Sequence, residues 1–565
     1  MNKLFAGFLL LGLSAYSVPL FALPPDAGSI LRETERPAPS LPERHPEVQV
    51  EPAPTASAVQ AGPKVLVKVI RIVGATIFKE SELLKLLAGY TGRELTYGDL
   101  EQAAAKVAAH YSEQGYIVKV LFPPQDISSG VVVMYLIEGK LGTVKEDPSS
   151  TARFKGKTAQ QFITDAQPVG QKLVISKLER GVLLLNDIPG ISATSSLEPG
   201  EKPGSANLVL KVSETPRLTG SVDADNFGDR STGEYRLSGG FDINNPYGIG
   251  DQVTIRALSS IDTNYLRLGY NLPLGTGGAR LFTSFSYLHY ELGGDFSALD
   301  GRGDAVTLGT SLLYPIIRGR GQNLYASIAY DYRRLNDEAL GVTTSNRDIH
   351  AGSFSLSGDR QDNLLGGGLT SGGVILTVAN LDRSGAPNDL AADQASARSN
   401  GVYSKVQLNA ARLQRLFERT SLFLSFSSQF AFKNLDTSEQ FSLGGPNGVR
   451  AYPVNEALGD HGILLTTEVR HNLTDRLQVS GFYDFGWTQL HETTWAGWNT
   501  TSGTPNSYTL DGAGIAISYG IPGNFFLKGT VATRISDNPG HNPAGNDNDG
   551  TKREPRFWMQ MSKFF

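Results

Sequence analysis

The stretch Leu477-Gln-Val-Ser-Gly-Phe-Tyr-Asp-Phe-Gly-Trp487 reads with a period of two. Leu477, Val479, Tyr483, Phe485 and Trp487 fall on one face of an extended ribbon, and Gln478, Ser480 and Asp484 fall on the other. A strand with lipid at one face and water at the other has this composition. Ile463 to Leu473 repeats the pattern, with Leu465 and Val469 opposite Glu468 and Arg470. So does Glu234 to Ile243, with Tyr235, Leu237 and Phe241 opposite Glu234, Arg236 and Asp242. Outward from these segments, Pro216 to Phe565 holds no convincing helical period and no long apolar run. Sixteen alternating segments can be counted, starting near residues 217, 233, 250, 263, 279, 304, 322, 347, 371, 401, 419, 462, 476, 508, 523 and 556. Each is about ten residues long, and the even count suits a closed antiparallel barrel. Connections after even-numbered segments are mostly short turns, such as Asn245 to Gly250, Asn472 to Arg476 and Gly520 to Asn524. Those after most odd-numbered segments are long and polar, such as Asp382 to Asn400, His491 to Asn506 and Asp537 to Glu554. The asymmetry predicts a transmembrane barrel entered from the side of the short turns, with the longer turn around Leu364 to Gly372 as an exception. A soluble sandwich or propeller would need repeated blade motifs, or core-facing strands without such loops.

Composition narrows the class further. In 565 residues, Lys plus Arg total 51 and Asp plus Glu total 56, a net charge of −5. That excludes a polycation built to grip nucleic acid along its length. Cysteine is absent, which excludes a disulfide scaffold, a zinc ribbon, an iron–sulfur protein and a cysteine nucleophile. Gly numbers 63, Tyr 21 and Phe 26 while charged residues are only 19%, as in a β-rich chain. A bundle of membrane helices would show repeated apolar runs of about 20 residues.

Met1 to Ala22 reads as a secretory signal peptide. Lys3 supplies the positive start, Leu4 to Leu13 is apolar and uncharged, and Leu20-Phe21-Ala22 offers a cleavage site. Export without cysteine points to a bacterial envelope. The next unit, residues 23–63, is rich in Pro, Glu and Ala and reads as a linker. One island inside it, Ala27 to Glu35, can form two helical turns with Ser29 as cap; so short a helix is marginal alone, so something larger must hold it. Residues 64–140 carry the strand-like run Val65 to Val73, the helices Ser81 to Leu87 and Tyr97 to Tyr111 (capped near Thr96), and the strands Tyr116 to Leu121 and Val131 to Ile137. Residues 141–215 hold a helix at Ser176 to Leu185 and a strand at Asn207 to Val212. Each is an αβ module small enough to be marginal, yet within the range that folds alone.

These residues carry a resemblance. Gly115-Tyr116, Pro124-Gln125-Asp126-Ile127, Gly130 and Ile137-Glu138-Gly139 resemble a first POTRA domain. Asn186-Asp-Ile-Pro-Gly190, Leu197-Glu-Pro-Gly200 and Leu208-Val-Leu210 resemble a second. In the connection 432–461, Leu443-Gly-Gly-Pro-Asn-Gly-Val-Arg-Ala-Tyr-Pro453 resembles the loop-six motif Val/Leu-Arg-Gly-Tyr of the Omp85 superfamily, written here Val449-Arg450-Ala451-Tyr452. Ala451 departs from the family Gly, and would be strained if that position needs a positive φ. Phe482-Tyr-Asp-Phe-Gly486 matches the family motif Phe-x-Asp-x-Gly, with Phe482, Asp484 and Gly486 in its fixed places. An Arg at a Gly/Pro-shaped tip can grip a lumen-facing carboxylate with both arms, so Arg450 is expected to pin the loop to Asp484 inside the barrel. In a partly wet lumen such a pair contributes roughly 1–3 kcal/mol. Asp225-Asn-Phe-Gly-Asp-Arg-Ser-Thr-Gly233 resembles the start of the family barrel. The island with Gly28, Ser29, Ile30, Leu31, Arg32 and Glu33 resembles its N-terminal plug helix, and Phe557, Met559, Met561 and Phe565 resemble a terminal insertion signal in which Lys563 is the departure.

The whole is similar to the outer-membrane transporters of two-partner secretion (TpsB), the pores that secrete filamentous haemagglutinins and haemolysins. The implied fold class is a 16-stranded antiparallel transmembrane β-barrel (216–565) preceded by a plug helix and two periplasmic α+β POTRA domains. The resemblance implies that a large unfolded β-helical partner protein, of adhesin or cytolysin type, is captured in the periplasm and passed to the cell surface. It also implies contact with outer-membrane lipids and with the barrel assembly machinery during insertion, and no nucleic acid. An Omp85-type insertase and a passive porin are the alternatives. Gly156-Lys157-Thr158 ends like a phosphate loop, but Thr151 stands where its first Gly belongs. Asp547-Asn-Asp-Gly550 lacks calcium ligands at its ends, where Gly545 and Arg556 stand. The eight His lack metal spacing, and no nucleophile turn is found. No catalysis, metal or cofactor is expected.

Overall fold

The computed structural model describes residues 24–36, 64–154, 156–500 and 503–565; the signal peptide read at 1–22 and the linker residues 37–63 lie outside them. Residues 218–564 form one closed antiparallel barrel of sixteen strands, from Leu218–Asp225 to Arg556–Phe564, which pair with each other to close it. The count and the alternation of turns and loops are those of the sequence. Starts differ by at most five residues, the largest difference being Val342 against 347. The expected length fails in mid-barrel, where Val342–Asp362 runs for 21 residues. The period-two pattern persists above the lipid there, because the outward positions merely change from apolar to charged. Arg334 and Asp348 pair on that outer face at 2.8 Å.

Phe557, Met559 and Met561 all point outward and are exposed. Phe565 lies one residue beyond the last strand, and its N–H and C=O exchange bonds with Gly220 of the first strand at 3.1 and 3.0 Å. Lys563 keeps the outward alternation, and its ammonium reaches Asn524 in a short turn at the barrel rim at 2.6 Å, so the polar head lies at the end of the apolar outer face.

In the first module, Leu100, Ala103, Val107 and Tyr111 line the buried face of helix Tyr97–Glu113. Thr96 caps it reciprocally with Asp99. The helix covers a sheet in which Val131–Glu138 lies between Val69–Val73 and Val118–Leu121. The run Val65 to Val73 is not one strand. The N–H groups of Lys68 and Val69 both turn to the Gly130 carbonyl, at 2.7 and 3.2 Å, and this sends Val65–Val67 away to pair with Arg93–Leu95. Gln125 donates to the Val133 carbonyl at 2.8 Å and accepts from its N–H at 2.6 Å. Its amide stands in for a strand beyond the end of Val118–Leu121, giving the motif a structural role. The second module adds elements that the sequence reading missed: strands Lys140–Glu146 and Ile191–Pro199 and helix Gly156–Ala166. Phe162 and Ile163 of that helix enter the core with Leu185, Leu208 and Leu210, so the stretch that ended like a phosphate loop is a packed helix.

Glu138 joins the two modules. It accepts hydrogen bonds from the N–H groups of Thr76 and Ile77 at 2.7 and 2.8 Å and from the Tyr111 hydroxyl at 3.0 Å. It also pairs with Lys172 of the second module. Burial pushes the carboxyl up, but the bonds from Lys172 and Thr76 outweigh it and hold the pKa at about 2. Glu138→Ala removes a buried charge with all these partners and is expected to cost about 3 kcal/mol, measured by urea denaturation of residues 65–215. Since the folded pKa lies below the usual 4.5, the stabilisation is complete above that value and is lost as the pH falls through about 2. The difference in stability between wild type and Glu138→Ala should therefore be constant from pH 8 to 6.

Candidate functional site: the plugged lumen

The bore is filled by two pieces of the same chain. The connection between strands Thr420–Ala431 and His461–Asn472 folds inward, as loop six was expected to do. Its tip tightens by bonds from Val449 N–H to the Leu443 carbonyl at 2.7 Å and from Gly448 N–H to the Gly445 carbonyl at 3.0 Å. The reversal uses Gly445 at φ +102°, where a side chain would be strained. Val449, Arg450, Ala451 and Tyr452 are all buried.

Arg450 grips Asp484 with both arms, Nε to Oδ2 and Nη2 to Oδ1, each at 2.8 Å. Its backbone N–H adds a bond to Oδ2 at 3.2 Å. The remaining arm donates to Glu468 at 2.9 Å, and Arg470 holds the other oxygen of Glu468 at 2.8 Å. The Arg450 guanidinium lies 3.2 Å from the centre of the Phe482 ring, a cation–π contact. The expectation of a partly wet pair needs correction: Arg450 is 5% exposed and Asp484 0%. In so dry a nest, removing one partner leaves a buried charge and costs about 3–5 kcal/mol, above the range for a wet pair.

Each fixed residue of Phe-x-Asp-x-Gly has a task on the lumen face. Phe482 supplies the ring and Asp484 the fork. Gly486 supplies space, because a Cβ there would stand 2.9 Å from Leu443 and 3.0 Å from Val449 side-chain atoms. The strain conditionally expected at Ala451 does not arise. Besides Gly445, positive φ values in this loop fall at Asn455 and Ala457, not at Ala451. The Ala451 methyl is received by Gly512 on the neighbouring wall, where a Cβ would be only 2.5 Å from it. Tyr452 donates from its hydroxyl to the Ser536 carbonyl at 3.0 Å, and Trp558 of the last strand donates to the Arg450 carbonyl at 2.7 Å.

The second piece is helix Ala27–Glu35. Its N-cap is Asp26, not Ser29. The Asp26 carboxylate accepts from the Ser29 N–H at 2.8 Å, while the Ser29 hydroxyl oxygen accepts from the Asp26 N–H at 3.0 Å. Ile30 and Leu31 are buried in a cluster with Leu288, Leu335 and Ile349 of the wall. Gly28 lies on loop six, where a Cβ would meet that of Ser438 at 2.5 Å. Arg32 donates to the Gln440 carbonyl at 2.9 Å and to Asn455 at 2.8 Å. Glu33 lines a cavity of about 1350 Å³ below the helix, and its backbone carbonyl takes the bond from Arg36 N–H that ends the helix. Arg347 reaches Asp26 at 2.7 Å and Asp436 at 2.9 Å, and also pairs with Asp337. One buried guanidinium thus ties helix, loop and wall together.

Sequence reasoning brought Arg450, Asp484, Phe482 and Gly486 to one place. It missed Glu468 and Trp558, although the alternation already turned both inward, and Asp26, although it stands at a capping-box position; it also missed Arg347 and Gly512, which carry no local signal. Gly512→Ala is expected to cost about 1–3 kcal/mol by overpacking, read as a lower temperature of conversion of the folded band in detergent gel electrophoresis. Adding Ala451→Gly should recover part of that loss; no recovery would mean that the two residues do not share the space.

Residues 204–505 match the family of haemolysin secretion/activation proteins ShlB/FhaC/HecB, and residues 65–139 match the ShlB-type POTRA domain. The heme/hemopexin transporter protein HuxB of Haemophilus influenzae is 29% identical over 494 residues, covering 86% of this chain and 84% of the relative. The outer membrane transporter CdiB of Escherichia coli is 26% identical over 521 residues, covering 87% and 85%. The solved structure of CdiB from Escherichia coli shares the fold with a TM-score of 0.68 at 21% identity, covering 91% of this chain and 93% of that one. With the barrel, the plug helix and the POTRA modules in place, the chain belongs to the ShlB/FhaC/HecB family of two-partner secretion transporters, an outer-membrane barrel whose POTRA domains lie in the periplasm.

Proposed function

We propose that this chain is a protein-conducting pore that captures a large unfolded partner on its POTRA modules and threads it to the cell surface. The observation that carries the reading is the double occupancy of the bore. A passive porin would keep its lumen open, whereas here a helix and a loop fill it and are bonded to each other through Arg32 and Asp26. Capture would use the outer edges of the two small sheets: strand Val69–Val73 in the first, where Glu80 already takes the Ile72 N–H, and Ile191–Pro199 in the second beyond Ala193, whose backbone groups are held by Asn186. A cargo segment added there would be held by backbone bonds, with little demand on its sequence. The plug helix then leaves, loop six rearranges around Arg450, and the cargo passes and folds outside. Folding removes the species that could return, so mass action supplies direction without nucleotide hydrolysis. The reading needs no catalysis or cofactor. The family description, haemolysin secretion/activation, supports a secreted partner of cytolysin type, and the naming of a relative as a heme/hemopexin transporter supports a secreted partner more generally.

The insertase reading has one observation in its favour. The first and last strands share five Cα pairs, Gln560–Phe564 with Ser221–Asp225, against eight in the shortest other pairings. Depleting this protein should leave the levels of other outer-membrane barrels unchanged if it is a secretion pore, and lower them if it is an insertase.

Deleting Val65 to Glu214 should leave an inserted barrel that exports no partner; continued export would refute the capture role. Arg450→Ala should reduce secretion at least tenfold while the protein still reaches the outer membrane. Secretion at the wild-type level would count against the lock.

A further inference from the structure

The signature Asn186-Asp-Ile-Pro-Gly190 is placed by the structure at the contact between POTRA 2 and the barrel. Asn186 folds back on its own module, giving to and taking from Ala193 at 2.8 and 2.7 Å, which shapes the turn. Asp187 then faces out and takes both arms of Arg318, at 2.8 and 2.7 Å. Arg318 ends the sixth barrel strand, its side chain is 3% exposed, and Asn323 across the turn holds its third nitrogen at 2.9 Å. The fork is therefore oriented before the module meets it. Around this pair, Glu179 binds Arg320 at 3.1 Å and Arg180 donates to the Pro315 carbonyl at 2.8 Å.

Two further periplasmic turns complete the seat. At Gly250 a Cβ would stand 2.6 Å from Ile188, and at Gly278 one would stand 2.4 Å from Leu184. Asp165 and Thr276 bond at the edge. The turns 245–251, 275–278 and 315–321 thus hold the module by two chemistries: bare-backbone seats for Ile188 and Leu184, and an ionic fork for Asp187. Three separate attachments along an arc fix a rigid body in position and orientation. Gly250 and Gly278 stand at φ +83° and +89°, so their turns need glycine in any case, and the bare backbone that results is what admits Ile188 and Leu184 so closely.

We infer that Asp187 and Arg318 are positioning residues for secretion: they bolt POTRA 2 to the barrel throughout transport, so the cargo always arrives at the same place beneath the lumen. The moving parts are then the plug helix and loop six. The inference rests on the secretion reading above. Failure of the unmodified chain to secrete would count against that reading, whereas failure confined to the variants below bears on the bolt.

The absence of cysteine allows a direct test in the full-length protein in its membrane. Asp165→Cys with Thr276→Cys should form a disulfide that pins POTRA 2 to its turn. Secretion by the oxidised protein is expected within twofold of the reduced protein. A tenfold loss that reductant restores would overturn the bolt, since the module would then have to undock. Independently, Asp187→Arg should lower secretion about tenfold without changing the conversion temperature of the folded barrel. Combining it with Arg318→Asp should restore secretion to within threefold of wild type. Undiminished secretion by Asp187→Arg, or no restoration by the swapped pair, would overturn the assignment even if the disulfide did not form.

Discussion

A sheet in hydrocarbon cannot leave backbone N–H and C=O groups unpaired, so it must close on itself. In this chain that requirement is met when Ser221–Asp225 pairs with Gln560–Phe564, joining segments more than three hundred residues apart. Closure then dictates the rest. Sixteen strands enclose a bore wide enough for an aqueous channel, and period-two alternation makes its wall polar wherever the outside is apolar. A wide polar bore has to be filled by something polar, and the chain fills it with its own helix and its own loop.

The filling is held largely by ions. Arg450 is shared between Asp484 and Glu468, and Arg347 among Asp26, Asp337 and Asp436. A buried ion pair is weak evidence for stability when set against an apolar core of the same shape, but an apolar filling would leave grease facing water once displaced. Charged partners on the wall can instead be rehydrated. On the proposed secretion cycle, in which helix and loop leave their places, the arrangement suits contacts that are specific while made and tolerable when broken. Apolar contact takes part in the filling too, through Ile30 and Leu31 on Leu288, Leu335 and Ile349 and through Leu443 and Val449 beside Phe482 and Leu510, and it makes up the module cores around Leu185 and Met134.

Legibility followed the range of the signal. Sixteen barrel strands were countable because each carries its own period of two, and helix Tyr97–Glu113 because its cap and apolar face are local. The run Val65 to Val73 misled, since nothing within it says that Lys68 and Val69 both bond to Gly130. Ser29 was read as the cap because the box is reciprocal and either partner suits the pattern; Asp26 takes the role because Arg347 and Thr437 hold its carboxylate. Helix Gly156–Ala166 was overlooked because a small-residue start was weighed only as a phosphate loop. At the lock, Asp484 and Arg450 were legible as a pair. The partners Glu468, Gly512 and Trp558 were not assigned, since their roles exist only where four strands and one loop converge.

The amino-acid sequence alone determined the class of object: strand count, sidedness, two αβ modules ahead of the barrel, and a hairpin whose Arg has a carboxylate to reach. These are one-dimensional patterns, set by which face of each ribbon meets lipid and which residues permit a turn. Tertiary structure alone decided that the lock is dry, that Ala451 fits because Gly512 leaves room, that one guanidinium joins helix, loop and wall, and that Asp187 seats the second module on the barrel. Each of these depends on the distance between side chains far apart along the chain, and such distances are defined only once the ring has closed and the bore is filled.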